Sequence, residues 1–348
     1  MHNGERLKSA GPSPGIRATS FGNGHRSANI SDNSGQNLAP TSIGAVEQGV
    51  PPLEGESVGR RSWSRADRKN LLIWVVIGLL APAVFVWAAL HVIHRPPAFD
   101  VQNQDVQNQL PTKALMAFGI ALATWVVARR EKRPLAAYGI PLDKAFGARF
   151  WEGGVWGFAM LPAVAGILGL FGHFRIESVA LNGAAALRYG IGWGAVFLAV
   201  SINEELAFRG YWLFLMARSM RFWPAATFLS VLFAVAHLAN PGETVIGILH
   251  VFVIGMFFCL TIRRTGTLWF ALGFHATWDW AETFFFGTPD SGLIGAGHFL
   301  NTSFQGANWL TGGSTGPEGS VVALLVLLVY AVLIHLRFAK ALYPDRPL

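Results

Sequence analysis

Residues 189–215 read YGIGWGAVFLAVSINEELAFRGYWLFL. The stretch is apolar over a length that suffices for a transmembrane helix, which needs about 20 residues. Its second half nevertheless contains Asn203, Glu204, Glu205 and Arg209. A charged side chain near the bilayer centre costs at least about 2.5–3.5 kcal/mol on insertion scales, so these residues need a structural or functional reason. The stretch therefore predicts a membrane helix that carries a buried polar site.

The composition of the whole chain agrees with a membrane protein. Of its 348 residues, 52% are hydrophobic and 14% are charged, and the mean hydropathy is +0.39. Soluble proteins contain about 25% charged residues. The net charge of +7 comes from basic residues at the ends of apolar runs. That distribution indicates membrane orientation and not a nucleic-acid interface, so we expect a lipid bilayer and no nucleic acid among the partners.

Eight apolar runs are candidate membrane spans. They lie at about 71–93, 110–128, 152–172, 189–215, 222–239, 245–262, 266–286 and 319–338. Basic clusters flank them at 60–69, 129–133, 218–221, 263–264 and 337–340, and all of these fall on the cytoplasmic side if the N-terminus is inside. Three loops on the opposite side, 94–109, 240–244 and 287–318, contain Arg95 as their one basic residue. We therefore predict an all-α polytopic bundle of about eight spans with both termini cytoplasmic.

The segments outside these spans differ in composition. Residues 1–69 are rich in Gly, Ser, Asn and Pro and lack apolar periodicity, so we expect a disordered cytoplasmic tail before a transmembrane domain at 70–348. The loop 287–318 is long and rich in Gly and Ser. We predict that it is an exposed extracytoplasmic connection with a short amphipathic piece around Phe299 to Leu310. The single cysteine, Cys259, excludes an intramolecular disulfide and a multi-cysteine metal site.

Further ionisable side chains lie in the later spans. His237 occurs in the fifth, His250 in the sixth, and His275, Asp279 and Glu282 in the seventh. We interpret His250 as a polar contact that faces the bundle and Glu282 as a solvated residue near a span end. By helical rise, Glu204, His237, His275 and Asp279 lie roughly 16–24 Å from the cytoplasmic ends of their helices. Three helices therefore place polar groups at a similar depth, where they can share one cavity in the outer half of the membrane.

Helix geometry divides the polar residues of the fourth span. Glu205 and Arg209 are four residues apart and share a helix face, which predicts an ion pair between them. Glu204 lies about 100° around the helix from Glu205, so it is expected to point elsewhere and to lack a partner. An unpaired intramembrane carboxylate predicts a functional group.

Three motifs resemble those of a known family. EELAFR at 204–209, FAVAH at 233–237 and HATWD at 275–279 resemble the EExxxR, FxxxH and HxxxN/D signatures of the CPBP family. These CAAX-protease and bacteriocin-processing proteins (the ABI family) are glutamic intramembrane endopeptidases and include the type II CAAX prenyl endopeptidase. The resemblance covers about residues 150–286, which would form the protease-like core. It implies an integral protein, expected in a bacterial inner membrane, that hydrolyses a peptide bond of a membrane-anchored protein or peptide.

The resemblance also implies roles for individual residues. Glu204 would be the general base, and His237 would help it to activate a water molecule. His275 and Asp279 would stabilise the oxyanion, and Glu205 and Arg209 would support the site. Asp279 departs from the Asn of the best-studied relatives, because an ionised Asp cannot donate a hydrogen bond to an oxyanion. Asp279 would have to be protonated, which burial favours, or else orient His275.

Other functions remain open at the level of sequence. No cofactor is expected, although Glu204, His237 and His275 with a water molecule are chemically adequate zinc ligands. The same polar site could also serve a non-catalytic membrane immunity or scaffold protein, or a proton-coupled transporter. A transporter would be expected to have repeated halves with broken helices, and no such repeat is visible.

Overall fold

The computed structural model describes residues 63–80, 83–84, 103–240 and 242–347. Residues 1–62 of the predicted tail lie outside the described residues. Most of the second half of the first predicted span, 71–93, also lies outside them. The first helix, α1 (Arg65–Val75), begins inside the segment predicted as tail. It begins there because Ser64 and Asp67 form a capping box, in which each side chain accepts a hydrogen bond from the other residue's backbone N–H.

The longer helices that follow form the bundle. They are α2 (Val106–Glu131), α3 (Ala148–Leu170), α4 (Gly183–Glu205), α5 (Tyr211–Met220), α6 (Phe222–His237), α7 (Val245–Thr265) and α8 (Trp269–Trp280). The short α9 (Asn308–Thr311) precedes α10 (Val321–Arg337). Among the described residues, π-helical segments occur at Val76–Leu80, Leu206–Gly210 and Ala281–Phe286, and 3₁₀ turns occur at Leu135–Tyr138, Leu142–Lys144 and Pro317–Gly319.

The outer faces of the bundle are apolar. Large side chains such as Phe118, Trp151, Val155, Leu187 and Leu325 are more than half exposed. A surface of this kind is unfavourable in water and compatible with lipid. Among the described residues, four helical stretches are long and apolar enough to cross a membrane: α2, α3, α7 and the continuous stretch Gly183–Met220. The chain is an integral membrane protein, as predicted.

Among the described residues, fewer helical stretches than the eight predicted spans are long and apolar enough to cross a membrane. Helices α6 and α10 are apolar but have fewer than 18 residues. The seventh predicted span consists of α8 and the π-helical segment Ala281–Phe286, and it is not among the four stretches long and apolar enough. Eight spans with cytoplasmic termini stay a prediction.

The predicted helical fold is confirmed, because the described chain is 73% helix, and the 6% that is strand forms two small sheets that the sequence did not predict. Strand β1 (Asn103–Gln104) pairs in parallel with β3 (Ile294–Gly295). Strand β2 (Phe174–Val179) pairs antiparallel with β4 (Leu300–Phe304). The strands arise where two polar loops lie side by side, since their backbone groups then satisfy each other's hydrogen bonds.

The loop 287–318 is therefore not the exposed connection that the sequence predicted. It folds back onto the bundle, where the backbone N–H of Phe299 donates to the Phe284 carbonyl over 2.6 Å. The indole of Trp193 donates to the Ala296 carbonyl over 3.0 Å. The segment around Phe299 to Leu310 contains β4 and part of the short α9, and it is not an amphipathic helix. We call residues 287–318 the roof loop.

Glycines allow α3 and α8 to approach closely. A Cβ on Gly153 would overlap the Phe270 carbonyl oxygen, and a Cβ on Gly273 would overlap the Phe150 carbonyl oxygen. Gly157 makes a similar approach to the Phe274 carbonyl. Small residues spaced by four let helix backbones pack in a membrane without intervening side chains. This contact fixes α8, and with it the polar residues near its end.

Replacing Gly153 with Ala separates the two backbones and should lower the thermal unfolding temperature of the detergent-solubilised protein by several degrees. The matched control is Gly166→Ala on the same helix, because a Cβ there meets no atom within 4 Å. The control should be neutral or slightly stabilising, since Ala favours helix over Gly by about 1 kcal/mol. Equal unfolding temperatures for the two variants would contradict the close packing.

Candidate active site

The end of α4 and the π-helical segment after it carry an ion pair. Arg209 Nη1 donates to Glu205 Oε1 over 3.0 Å, and the two residues are 2% and 0% exposed. The pair predicted from the four-residue spacing is thus present. The Arg209 guanidinium also lies 4.1 Å from the ring centroid of Phe233, so an aromatic face covers the charge. π-Helical turns often occur at functional sites, and this one begins directly after Glu205.

Gly255 on α7 makes room for this pair. A Cβ at that position would lie 2.7 Å from Arg209 Nη2 and 3.0 Å from Ser230 Oγ. Both contacts are closer than a carbon side chain tolerates, so any larger residue would have to displace the guanidinium. Gly255 is therefore needed for the geometry of the site, although it has no side chain that could take part in a reaction.

His275 on α8 lies among three carboxylates. Its Nδ1 is 3.0 Å from Glu205 Oε1, and its Nε2 is 3.4 Å from Asp279 Oδ2 and 3.7 Å from Glu204 Oε2. The expectation that Glu204 lacks a partner was therefore wrong. The two nitrogens of one imidazole reach side chains that point about 100° apart on α4. This environment favours a doubly protonated ring, because each nitrogen then presents an N–H to a carboxylate.

His237 is the last residue of α6 and is partly buried. Its Nδ1 is 2.8 Å from the Phe233 carbonyl, which can only accept, so Nδ1 carries the proton. In the neutral ring, Nε2 is then an acceptor. The ring also packs edge-on against Phe233, with 4.5 Å between centroids, which holds its orientation.

One cavity of about 290 Å³ brings the predicted residues together. Glu204, His237, His275 and Asp279 all line it, whereas Glu205 and Arg209 lie behind its wall. Sequence reasoning missed Lys113, Asp290 and Glu318, which line the same cavity. Asn203, noted in the sequence, and Asn240 also line it. Lys113 could have been noticed as the one charged residue within the predicted span 110–128. Asp290 and Glu318 gave no such signal, because they lie in the roof loop.

Acidic groups concentrate on the roof-loop side of the cavity. Burial and the neighbouring carboxylates of Asp279 and Glu318 raise the pKa of Asp290 well above its usual range. Burial, followed by the charge of Glu318, raises the pKa of Glu243 to about 7. The carboxylates at this end of the bundle are close together and poorly solvated. They therefore cannot all be ionised unless protons or cations neutralise part of their charge.

Two expectations about neighbouring residues need correction. Glu282 was predicted to be solvated but is 0% exposed, because the π-helical segment turns it inward beneath the roof loop. His250 does face the bundle and is 0% exposed. Its ring stacks on Trp278 at 6.0 Å between centroids, and neither nitrogen has a hydrogen-bond partner among the described residues. It is therefore an aromatic contact and not a polar one.

A comparison with protein families finds a match to the segment that carries this site. The family described as "Rce1-like: Type II CAAX prenyl endopeptidase Rce1-like" matches residues 186–281 of the chain. This segment runs from α4 to the end of α8 and contains all three motifs, so the predicted resemblance to the CAAX-protease family is confirmed there. Members of that family are intramembrane proteases. A comparison with curated proteins found no match.

Removing either member of the Glu205–Arg209 pair should destabilise the fold strongly. Arg209→Met leaves Glu205 without its guanidinium, and breaking a buried ion pair typically costs about 3–5 kcal/mol. The double variant Glu205→Gln with Arg209→Met leaves no uncompensated charge and should recover part of that loss. The measurement is a double-mutant cycle of unfolding free energies in detergent. Additive effects in the double variant would contradict a coupled pair.

Proposed function

We propose that this protein is an intramembrane glutamic endopeptidase that hydrolyses a peptide bond of a membrane-associated protein or peptide. The observation that carries the proposal is the convergence of Glu204, His237 and His275 from three helices on one cavity. The family match to residues 186–281 supports the same class of reaction. A general base and an oxyanion donor are the groups that water-mediated hydrolysis commonly uses, and a second proton acceptor can assist the base.

Glu204 is proposed to remove a proton from a water molecule while the water oxygen attacks the carbonyl carbon of the scissile peptide bond. His237 assists through Nε2, which is an acceptor because Nδ1 is bound to the Phe233 carbonyl. The proton held by Glu204 then passes to the leaving amine as the C–N bond breaks. Peptide hydrolysis of this kind consumes one water molecule and restores the carboxylate.

His275 is proposed to stabilise the developing oxyanion with its Nε2–H. Glu205 holds Nδ1–H from behind, so the ring keeps a fixed orientation. Asp279, 3.4 Å from Nε2, orients His275 in the resting site and does not itself need to donate. A preorganised donor commonly contributes about 2.7–4 kcal/mol to such a transition state.

The bundle is proposed to have eight spans with both termini in the cytoplasm, which puts the roof loop outside. The basic clusters at the ends of the helices support this orientation. Arg175 and Arg188 weaken the asymmetry, because they flank the outer end of α4 in this topology. The proposed substrate is consequently a membrane-anchored or exported peptide whose scissile bond reaches the outer half of the bilayer.

Glu204→Gln should lower cleavage at least 100-fold, because positioned acid–base groups contribute about 10²–10⁴-fold. The purified protein in lipid vesicles would be mixed with a farnesylated CAAX peptide and, separately, with total membrane peptides. New peptide termini would then be read by mass spectrometry. The control is Glu177→Gln on the exposed strand β2, which should cleave like the wild type. Unchanged cleavage by Glu204→Gln would contradict the catalytic role of Glu204, and no cleavage by the wild type would favour a scaffold.

The proposed orientation predicts the labelling of two introduced cysteines. In a Cys259→Ser background, Gln305→Cys in the roof loop should react with a membrane-impermeant maleimide on intact cells. Asp143→Cys, in the exposed turn between α2 and α3, should react only after the cells are permeabilised. The opposite pattern would invert the topology, and labelling of both sites in intact cells would contradict it.

A further inference from the structure

Three carboxylates converge beside the proposed catalytic residues. One oxygen each from Asp279, Glu282 and Asp290 lies within 4.8 Å of the other two. Asp279 ends the regular part of α8, Glu282 follows in the π-helical segment, and Asp290 comes from the roof loop. The loop returns towards the helix after Gly287, whose φ of 65° is readily adopted by glycine. Glu282 and Asp290 lie beyond the segment matched by the family.

The burial of Glu282 is an independent sign of a missing partner. Its side chain is 0% exposed, and neither carboxylate oxygen has a hydrogen-bond partner among the described residues. A buried carboxylate is costly unless it is paired, hydrogen-bonded or bound to a metal. The cluster thus contains an acceptor that is directed into it and that the surrounding protein leaves unsatisfied.

The charges around the cluster do not balance. Within the part of the chain that the structure describes, no Lys or Arg forms an ion pair with any of the three carboxylates. The imidazole of His275 lies 3.4 Å from Asp279, and it is shared with Glu204 and Glu205. Glu318 adds a fourth acid to the surroundings of Glu282. Its own oxygens accept hydrogen bonds from Trp278 and Ser291, which do not neutralise its charge.

We propose that Asp279, Glu282 and Asp290 form a binding site for a hard divalent cation, with calcium preferred. The donor set consists of oxygen alone, which suits calcium and magnesium, whereas zinc sites usually contain nitrogen or sulfur. Calcium binds oxygen at about 2.3–2.6 Å, so opposite ligands of one ion lie about 4.6–5.2 Å apart. Three oxygens that lie within 4.8 Å of one another can therefore reach one such ion. Magnesium demands near-ideal octahedral geometry at about 2.0–2.1 Å, whereas calcium accepts about six to eight oxygens in a flexible arrangement, which suits ligands from a helix end and a loop.

The cavity gives a cation a route to this site. Asp279 and Asp290 line it, and so do Thr283 and Ser291, whose hydroxyl groups are further oxygen donors nearby. A bound cation would attach the roof loop to the end of α8. It would also hold the Asp279 carboxylate beside His275, so the same ion would stabilise the fold and the geometry of the proposed active site.

The direct test uses the full-length protein in detergent after treatment with EDTA and desalting. Adding CaCl₂ should raise its thermal unfolding temperature by several degrees, because a ligand that binds only the folded state stabilises it. In Glu282→Gln and Asp290→Asn, at least ten times more calcium should be needed for the same rise. Without calcium, both variants should unfold near the wild-type temperature, since Gln and Asn keep the size and shape of a protonated carboxyl group. The control Glu177→Gln should respond like the wild type.

A second measurement does not depend on how the variants fold. Tb³⁺ binds calcium sites, and its luminescence is sensitised by nearby tryptophans such as Trp278 and Trp280. Wild-type protein should show sensitised luminescence that calcium displaces at lower concentration than magnesium. Displacement by magnesium as efficient as by calcium would overturn the calcium preference. No response of the wild type to either ion, or an unchanged calcium response in Glu282→Gln, would overturn the site. Neither measurement uses peptide cleavage, so the result is independent of the proposed protease activity.

Discussion

A guanidinium inside a helix bundle has to be compensated on all sides, and the surroundings of Arg209 follow from that constraint. Glu205 supplies the opposite charge, Phe233 supplies an aromatic face, and Gly255 supplies the space. These contacts tie α4, α6 and α7 to one another at the depth of the cavity. Glu205 then accepts a second hydrogen bond from His275, which adds α8 to the same cluster. The buried ion pair is therefore the frame on which the candidate site is built.

The arrangement places two adjacent carboxylates in different environments. Glu205 is fully buried and faces Arg209 and His275, whereas Glu204 is partly exposed and faces the cavity. The imidazole of His275 contacts both side chains. It therefore couples the charge of Glu205, in the buried ion pair, to the charge of Glu204, in the cavity. The exposure of Glu204 suits its proposed role as a general base, which requires contact with water. The burial of Glu205 suits an ion pair, which is stronger when water is excluded.

The roof loop changes the character of the cavity. Without it, the site would be a group of polar residues between helices. With it, Asp290 and Glu318 enter the lining and Glu282 becomes fully buried. The roof loop therefore adds acidic residues to those that the helices contribute. These added residues lie beyond residues 186–281, the segment that matches the CAAX-protease family.

The sequence alone was sufficient for the features that depend on local chemistry. Long apolar runs indicated a membrane protein, the spacing of Glu205 and Arg209 indicated their ion pair, and the three motifs indicated the family that matches residues 186–281. Each of these rests on the periodicity of a helix or on residues a few positions apart. The catalytic roles of Glu204, His237, His275 and Asp279 stay predictions, although the structure brings these residues to one cavity.

Only the tertiary structure decided what the loops do. Polar, Gly-rich residues at 287–318 read as an exposed connection, because such a composition contains no periodic apolar face. The structure instead pairs β4 with β2 and folds the loop over the cavity. The environment of Glu282 likewise depends on a π-helical turn and on Asp290, which lies eight positions further along the chain, in the roof loop. Contacts between separate elements are set by packing and not by local sequence, which is why the site's acidic side became visible only in three dimensions.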